Sequence, residues 1–384
     1  MKNIYYIFLL FLLVACNQNE IENQDIIFDI DFKPQSKFVG TFQDSKGTEY
    51  IYFAEPVTRK YMKVFSITGQ YLYTVSLKEA INLLQEINGI QVLAKDTILL
   101  HTVYDNQFCA INSNGTVYKK IFLHDFSPDK KNLFEFYSSL KPHNVSGSNM
   151  LFFHNYWIGN IDDEKLGKAP TEGFEYTKYI NKGQYYSPYL TKVTNILEKP
   201  AIEFGADSFY ARLSPMLSDF SELPFFSHTN HKVFILSSYS NQLFVVNENT
   251  LKIENKIPIS SKYTDIGVKA IPIDTIAKYN MKNIQIESEP KGEFTDVFFN
   301  QKRKMYGVVL SYRIRNIKDI LNTNKVTSSF SIITLDSNFK QIAENSFANK
   351  GYGNFIIPVK NGLLINKEIK TNDKQIIFTL FKDL

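Results

Sequence analysis

From residue 49 onward, short runs of β-branched and aromatic residues alternate with clusters of Asn, Asp, Ser and Gly, the pattern of strands joined by polar turns. One unit recurs, and it restricts the fold more than any other feature. Residues 61–66, the turn Ile67-Thr68-Gly69-Gln70 and residues 71–75 have counterparts further on. These are 107–111, Asn112-Ser113-Asn114-Gly115 and 117–123; 242–246, Asn247-Glu248-Asn249-Thr250 and 251–257; and 330–335, Asp336-Ser337-Asn338 and 339–343. A further strand-like run precedes each unit, at 49–53, 97–103, 232–237 and 304–312. Gly69 and Gly115 lie 46 residues apart, Gly115 and Thr250 135, Thr250 and Asn338 88. These are multiples of one step of about 45, and four strands per step of that size mark a β-propeller. An isolated four-stranded sheet cannot bury both faces, whereas a ring of such sheets packs face on face and leaves only short edges.

The expected fold is therefore all-β, with six blades preferred and seven as the alternative count. Grouping the strands places blades near 38–76, 89–123, 140–197, 201–257, 270–346 and 350–384. The last group is one strand short, and Ile26-Ile27-Phe28-Asp29-Ile30 can complete it and close the ring. Stretches 125–148, 261–290 and 313–329 read as insertions. Helix is confined to decorations. Leu77, Ala80, Ile81, Leu84 and Ile87 form one apolar helical face behind Ser76 as N-cap, and 313–322 has a similar rhythm.

The amino terminus carries a separate message. Lys2 precedes an apolar run at 4–14, followed by Leu13-Val14-Ala15-Cys16, the three-part layout of a secretory signal. The run is shorter than the roughly 20 residues that span a bilayer as a helix. The tetrapeptide resembles the lipobox of bacterial lipoproteins, which implies cleavage before Cys16, lipidation of its thiol and a membrane as partner. The expected organisation is a signal at 1–15, a lipidated cysteine and polar tether at 16–25, and one propeller domain at 26–384. Glu20 and Glu22 in the tether resemble an outer-membrane sorting signal of Bacteroidota. The expected location is the outer membrane, on its periplasmic side or the cell surface.

Removing residues 1–15 takes away only Lys2, leaving 42 basic against 39 acidic side chains. Charges of both signs alternate, so no basic stripe suits nucleic acid. With Cys16 assigned to lipid, Cys109 is alone, and the exported domain does without an intrachain disulfide.

Few residues offer chemistry. His228 and His231 are the only close histidine pair, but a metal site needs three or four ligands and no carboxylate is nearby in sequence until Glu248. They are ligand-binding candidates, with a solvated turn as the plain alternative. His154, Tyr156 and Trp157 form an aromatic cluster that could stack on a sugar ring or pack a blade. Asp162, Asp163 and Glu164 offer adjacent carboxylates but read better as a solvated turn. Cys109 alternates within a strand as a core residue. No catalytic motif, metal site or cofactor site is expected.

The stretch Asp296-Val297-Phe298-Phe299-Asn300-Gln301-Lys302-Arg303-Lys304-Met305-Tyr306, with the lipobox and the unit beginning Lys63-Val64-Phe65, resembles the propeller lipoproteins of Bacteroidota, in particular the domain-of-unknown-function family 4221 and related six-bladed groups. Asn300-Gln301 stands where that family usually has aspartate-proline. The resemblance implies the propeller and brings no assigned activity. The leading expectation is a binding or scaffold module rather than an enzyme, with a protein or glycan partner. The alternatives are an enzyme acting on carbohydrate or peptide and a subunit of an outer-membrane complex.

Overall fold

The computed structural model describes residues 23–35, 38–84, 87–102, 106–128, 134–138, 150–157, 167–168, 170–171, 179, 182–183, 187–207, 225–237, 240–267, 292–314, 327–348, 350–367 and 374–382. The first strand, β1 (Gln24–Asp29), does not join those that follow it. Blade 1 is β2 (Val39–Gln43), β3 (Glu49–Ala54), β4 (Tyr61–Ser66) and β5 (Tyr71–Ser76). Blade 2 is β6 (Gly89–Ala94), β7 (Thr97–Thr102), β8 (Gln107–Ile111) and β9 (Val117–Phe122). Blade 3 is β10 (Phe134–Ser138), β11 (Leu151–Trp157), β12 (Pro188–Thr194) and β13 (Ala201–Asp207). Blade 4 is β14 (Phe225–Thr229), β15 (Lys232–Leu236), β16 (Gln242–Asn247) and β17 (Ile253–Pro258). Blade 5 is β18 (Gly292–Asn300), β19 (Met305–Ile314), β20 (Thr327–Leu335) and β21 (Gln341–Ser346). Blade 6 is β22 (Tyr352–Val359), β23 (Gly362–Lys367) and β24 (Gln375–Phe381), with β1 added beside β24. Every sheet is antiparallel, blades 1–5 as meanders and blade 6 with β1 added beside β24, and first strands meet across blade boundaries, β2 against β6 and β22, and β14 against β18.

Six blades are present, so the seven-blade alternative is excluded. The third and fourth blades divide differently from the expectation. Residues 201–207 are the outer strand of blade 3, paired with β12, rather than the start of blade 4. Residues 134–138, expected within an insertion, form that blade's inner strand. The alternation in 201–207 fits an edge strand as well as a first strand, so local pattern could not separate the two. The first helix forms as α1 (Lys78–Leu84), and a 3₁₀ turn covers Leu123–Phe126. Arg313 and Ile314, expected to begin a second helix, extend β19 instead, and 315–326 lie outside the described residues.

The core is six apolar layers, one between each pair of neighbouring blades. This explains the unbroken apolar runs. In β15, Val233 and Ile235 pack toward blade 3 while Phe234 and Leu236 pack toward blade 5, because a strand buried on both faces needs no polar alternation. Outer strands alternate instead, as in β9, where Ile121 is buried between exposed Lys120 and Phe122. Cys109 lies in the layer between blades 1 and 2, fully buried, and that burial raises its thiol pKa.

The recurring turn has one construction. Ser66, Asn112, Asn247 and Asp336 each accept backbone N–H groups of their own turn on a side-chain oxygen, an arrangement these short polar side chains favour. Each turn contains a left-handed residue, Gly69 (φ 88°), Gly115 (φ 85°), Leu251 (φ 55°) or Phe339 (φ 64°), and the ladder beside it carries a bulge. At Gly69 and Gly115 a Cβ would also collide with the outer strand of the preceding blade, at Ile27 O and Ser76 O. The turns therefore clasp each blade to the one before it.

Two glycines serve a different purpose. Tyr52 lies across its partner Gly40 and donates to Ile90 O at 3.0 Å, linking blades 1 and 2. The Phe298 ring lies across its partner Gly307, where a Cβ would approach to 2.0 Å. Gly307→Ala is expected to cost about 1–3 kcal/mol through overpacking, measured by urea unfolding. The cost should shrink in a Phe298→Leu background, and an unchanged cost there would show that ring crowding is not its origin.

Candidate functional site

Antiparallel alternation gives the ring two unlike ends. The turns joining first to second and third to fourth strands fall at one end, and most are tight: 95–96, 230–231 and 360–361 link strands directly. The connection 139–150 is the exception. The second-to-third connections and the passages between blades leave from the opposite end, and they include the longest, 158–187, 208–224, 259–291 and 315–326. We refer to these as the turn end and the loop end. Exposed Val57, Phe126 and Tyr263 all belong to loop-end connections, and Tyr263 stacks on Tyr312 with ring centroids 6.2 Å apart.

At the turn end, the structure brings His228 and His231 together through a residue distant in sequence. Thr229 and Lys232 pair across a two-residue turn in which Asn230 (φ 48°) and His231 (φ 59°) are both left-handed, as the hairpin's twist demands. Glu248, in the next turn of the same blade, accepts from both imidazoles: Nε2 of His228 to Oε2 and Nδ1 of His231 to Oε1, each at 2.8 Å. The Glu248 and His228 side chains are buried, while His231 is 74% exposed. Hydrogen bonds from His228 first, and from His231, hold the Glu248 carboxyl below its ordinary value against the opposing effect of burial. The His228 ring also rests 4.4 Å from that of Phe152 in blade 3. The arrangement clasps two turns and one blade boundary. Among the described residues no group of three or more His, Cys, Asp or Glu is arranged to hold a metal ion.

His154 is elsewhere, within the layer between blades 3 and 4. Its imidazole is buried and lies parallel to the Tyr189 ring, 5.7 Å away. Burial lowers its pKa to about 3, so the ring is neutral at physiological pH. Tyr156 and Trp157 end β11, paired with Glu135 and Phe134, but their side chains lie outside the described residues, as do Asp162, Asp163 and Glu164.

Sequence reading missed Glu248 as the partner of both histidines, and it missed a link between inner strands. Ser227 of β14 donates to buried Asp296 of β18 at 2.7 Å, joining blades 4 and 5 beside the bulge at residues 294–296. Asn230 adds a bond to the Tyr306 hydroxyl at 2.8 Å. The meander itself carried the signal for Glu248, since first-to-second and third-to-fourth turns share an end of every blade.

Both clusters have measurable consequences. The unfolded chain takes up a proton on His154 near pH 6.5, which the folded chain refuses until about pH 3. Stability therefore falls as pH drops below 6.5, and His154 should account for about 2 kcal/mol of loss between pH 7 and pH 5. Urea unfolding of His154→Phe should show that much less acid sensitivity. Glu248 acts with its depressed pKa: its contribution is present above the ordinary glutamate value of 4.5 and is lost as pH falls through its folded value. At pH 7, Glu248→Gln is expected to cost about 1–3 kcal/mol in the same measurement.

No family model matches the chain, and no curated protein matches it. Solved structures do. A member of the family numbered 4221 from Bacteroides vulgatus aligns over 94% of this chain and 96% of its own, with a TM-score of 0.65 at 15% identity. Weaker likenesses are a candidate exported protein of Bacteroides fragilis (TM-score 0.47, 9% identity, 94% of this chain and 95% of that one) and the Cps50 (Swd1) β-propeller domain of Myceliophteria thermophila (TM-score 0.42, 8% identity, 93% and 100%). The chain is a six-bladed β-propeller whose fold is similar, over nearly its whole length, to that of a solved member of family 4221.

Proposed function

We propose that this protein is a lipid-anchored extracytoplasmic binding or scaffold module of the outer membrane, tethered through Cys16 and contacting a protein or glycan at its loop end. The observation that carries this reading is the asymmetry of the ring. Most turn-end connections are tight hairpins, whereas the loop end gathers the longest connections and exposes Val57, Phe126 and Tyr263. A rigid scaffold carrying variable loops is the usual arrangement for recognition. No helix of the described residues is long and apolar enough to cross a membrane, and the proposed attachment is the lipid on Cys16. The two or three acyl chains of a lipoprotein suffice for stable anchoring, where one gives weak, reversible binding.

Fractionation tests both halves. Cys16→Ala should move the protein from the membrane to the soluble fraction, and retention on the membrane would sink the anchor. Cross-linking followed by co-purification should recover a partner with the native chain and lose it with Val57→Asp/Phe126→Asp/Tyr263→Asp. Equal recovery from that variant would place recognition away from the loop end.

A further inference from the structure

The two ends of the ring differ also in where the tether joins them, and this bears on how the domain sits on a membrane. β1 begins at Gln24, paired with Leu380 in β24, and ends at Asp29, paired with Gln375. Leu380 in turn pairs with Leu364 of β23. A Cβ on Gly362 would meet Phe381 O and Lys382 Cα, so the Lys360-Asn361 turn lies against this same end of the blade. The chain thus enters the propeller at the turn end. Seven residues separate Cys16 from Gln24, a span of at most about 29 Å when fully extended, which keeps the turn end beside any surface that holds Cys16.

The charge of that end is uneven. In blade 6, which contains β1, and in blade 5 next to it, the turns carry Lys302, Arg303, Lys304, Lys340 and Lys360 against Asp336, with Glu49 of blade 1 beside Lys360 and accepting its backbone N–H at 2.9 Å. All five basic residues are exposed, and Lys302, Arg303 and Lys304 are consecutive on one hairpin. Asp336 is drawn inward onto the N–H groups of Asn338 and Lys340. Glu20 and Glu22 in the tether oppose the positive field, but the five basic side chains outnumber them. Exposed Tyr71 and Tyr118 stand just after turn-end turns of blades 1 and 2, and tyrosine suits a boundary that is apolar on one side and wet on the other.

We propose that the turn end of blades 5 and 6 is a membrane-facing surface that rests on anionic lipid headgroups beside the anchor, leaving the loop end directed away from the bilayer. This rests on lipidation of Cys16. A basic residue held near an anionic leaflet gains roughly fivefold in binding, and the effect fades within a Debye length. A short anchor that holds five such residues close is the geometry in which they count.

The test uses the full lipidated chain, reconstituted through its own anchor into phosphatidylcholine vesicles with or without 30% phosphatidylglycerol (roughly the anionic fraction of a charged leaflet). A fluorescent thiol label is placed at Lys302→Cys on the turn end or at Val57→Cys on the loop end, Cys109 being buried, and a headgroup-linked quencher is added. Quenching should be at least about threefold greater at 302 than at 57 in anionic vesicles. It should weaken at high salt and in Lys340→Glu/Lys360→Glu. Equal quenching at the two sites, or quenching indifferent to phosphatidylglycerol, would overturn the orientation. Mass analysis of the Cys16 peptide separates the two readings. An unlipidated Cys16 sinks the anchor and this orientation with it, whereas a lipidated Cys16 with equal quenching sinks the orientation alone.

Discussion

Everything in this molecule depends on closing the ring through β1 and β24. Each blade buries both faces only because a neighbour covers each of them, so the apolar layers form a cycle rather than a stack. A gap anywhere would expose two faces at once. The layer on the inner side of β1, with Ile26, Phe28, Phe53, Phe65 and Phe378, is where the cycle is joined. The Phe28 ring meets those of Phe53, Phe65 and Phe378 at 5.2–5.7 Å. At the strand edge, Asp25 accepts from Lys367 and Thr379, and these bonds lower its pKa although burial opposes them. The join is an apolar cluster finished by a polar clasp.

The same logic explains why polar side chains are found where they are. A closed ring of apolar layers has little tolerance for unpaired buried groups, and several of the buried polar side chains bridge elements. Tyr52 reaches Ile90 O, Ser227 reaches Asp296, and Glu344 accepts from Ser331, Ser261 and the Lys262 backbone. These bonds cross blade boundaries or tie connections to the rim. The scaffold is thereby fixed from within, and the longest connections are gathered at one end.

Much of this was legible in the residues. The recurring Asn, Asp or Ser turn with a left-handed position marked the hairpin between third and fourth strands in four blades, and its spacing revealed the ring. Ile26 to Ile30 was readable as the missing strand because the last group lacked one. Blade 3 was not readable, for a physical reason: its connections are long, its turn at 195–200 opens on Asn195 but continues with apolar Ile196 and Leu197, and an outer strand alternates as an inner one does. The histidine pair was visible but its meaning was not, because Glu248 approaches through the meander rather than along the chain. Asp296 looked like part of a family-like stretch and is a link between inner strands.

Because the strand nearest the amino terminus fills the last place in the ring, synthesis order and assembly order run opposite to each other. β1 is made before the other described strands, yet its partner β24 follows all of them in the chain. Until β24 arrives, β1 has nothing to pair with, and two blade faces remain uncovered. Contacts this distant along the chain form slowly. The incomplete ring is therefore a species that a cell must keep from pairing its open edges with other chains.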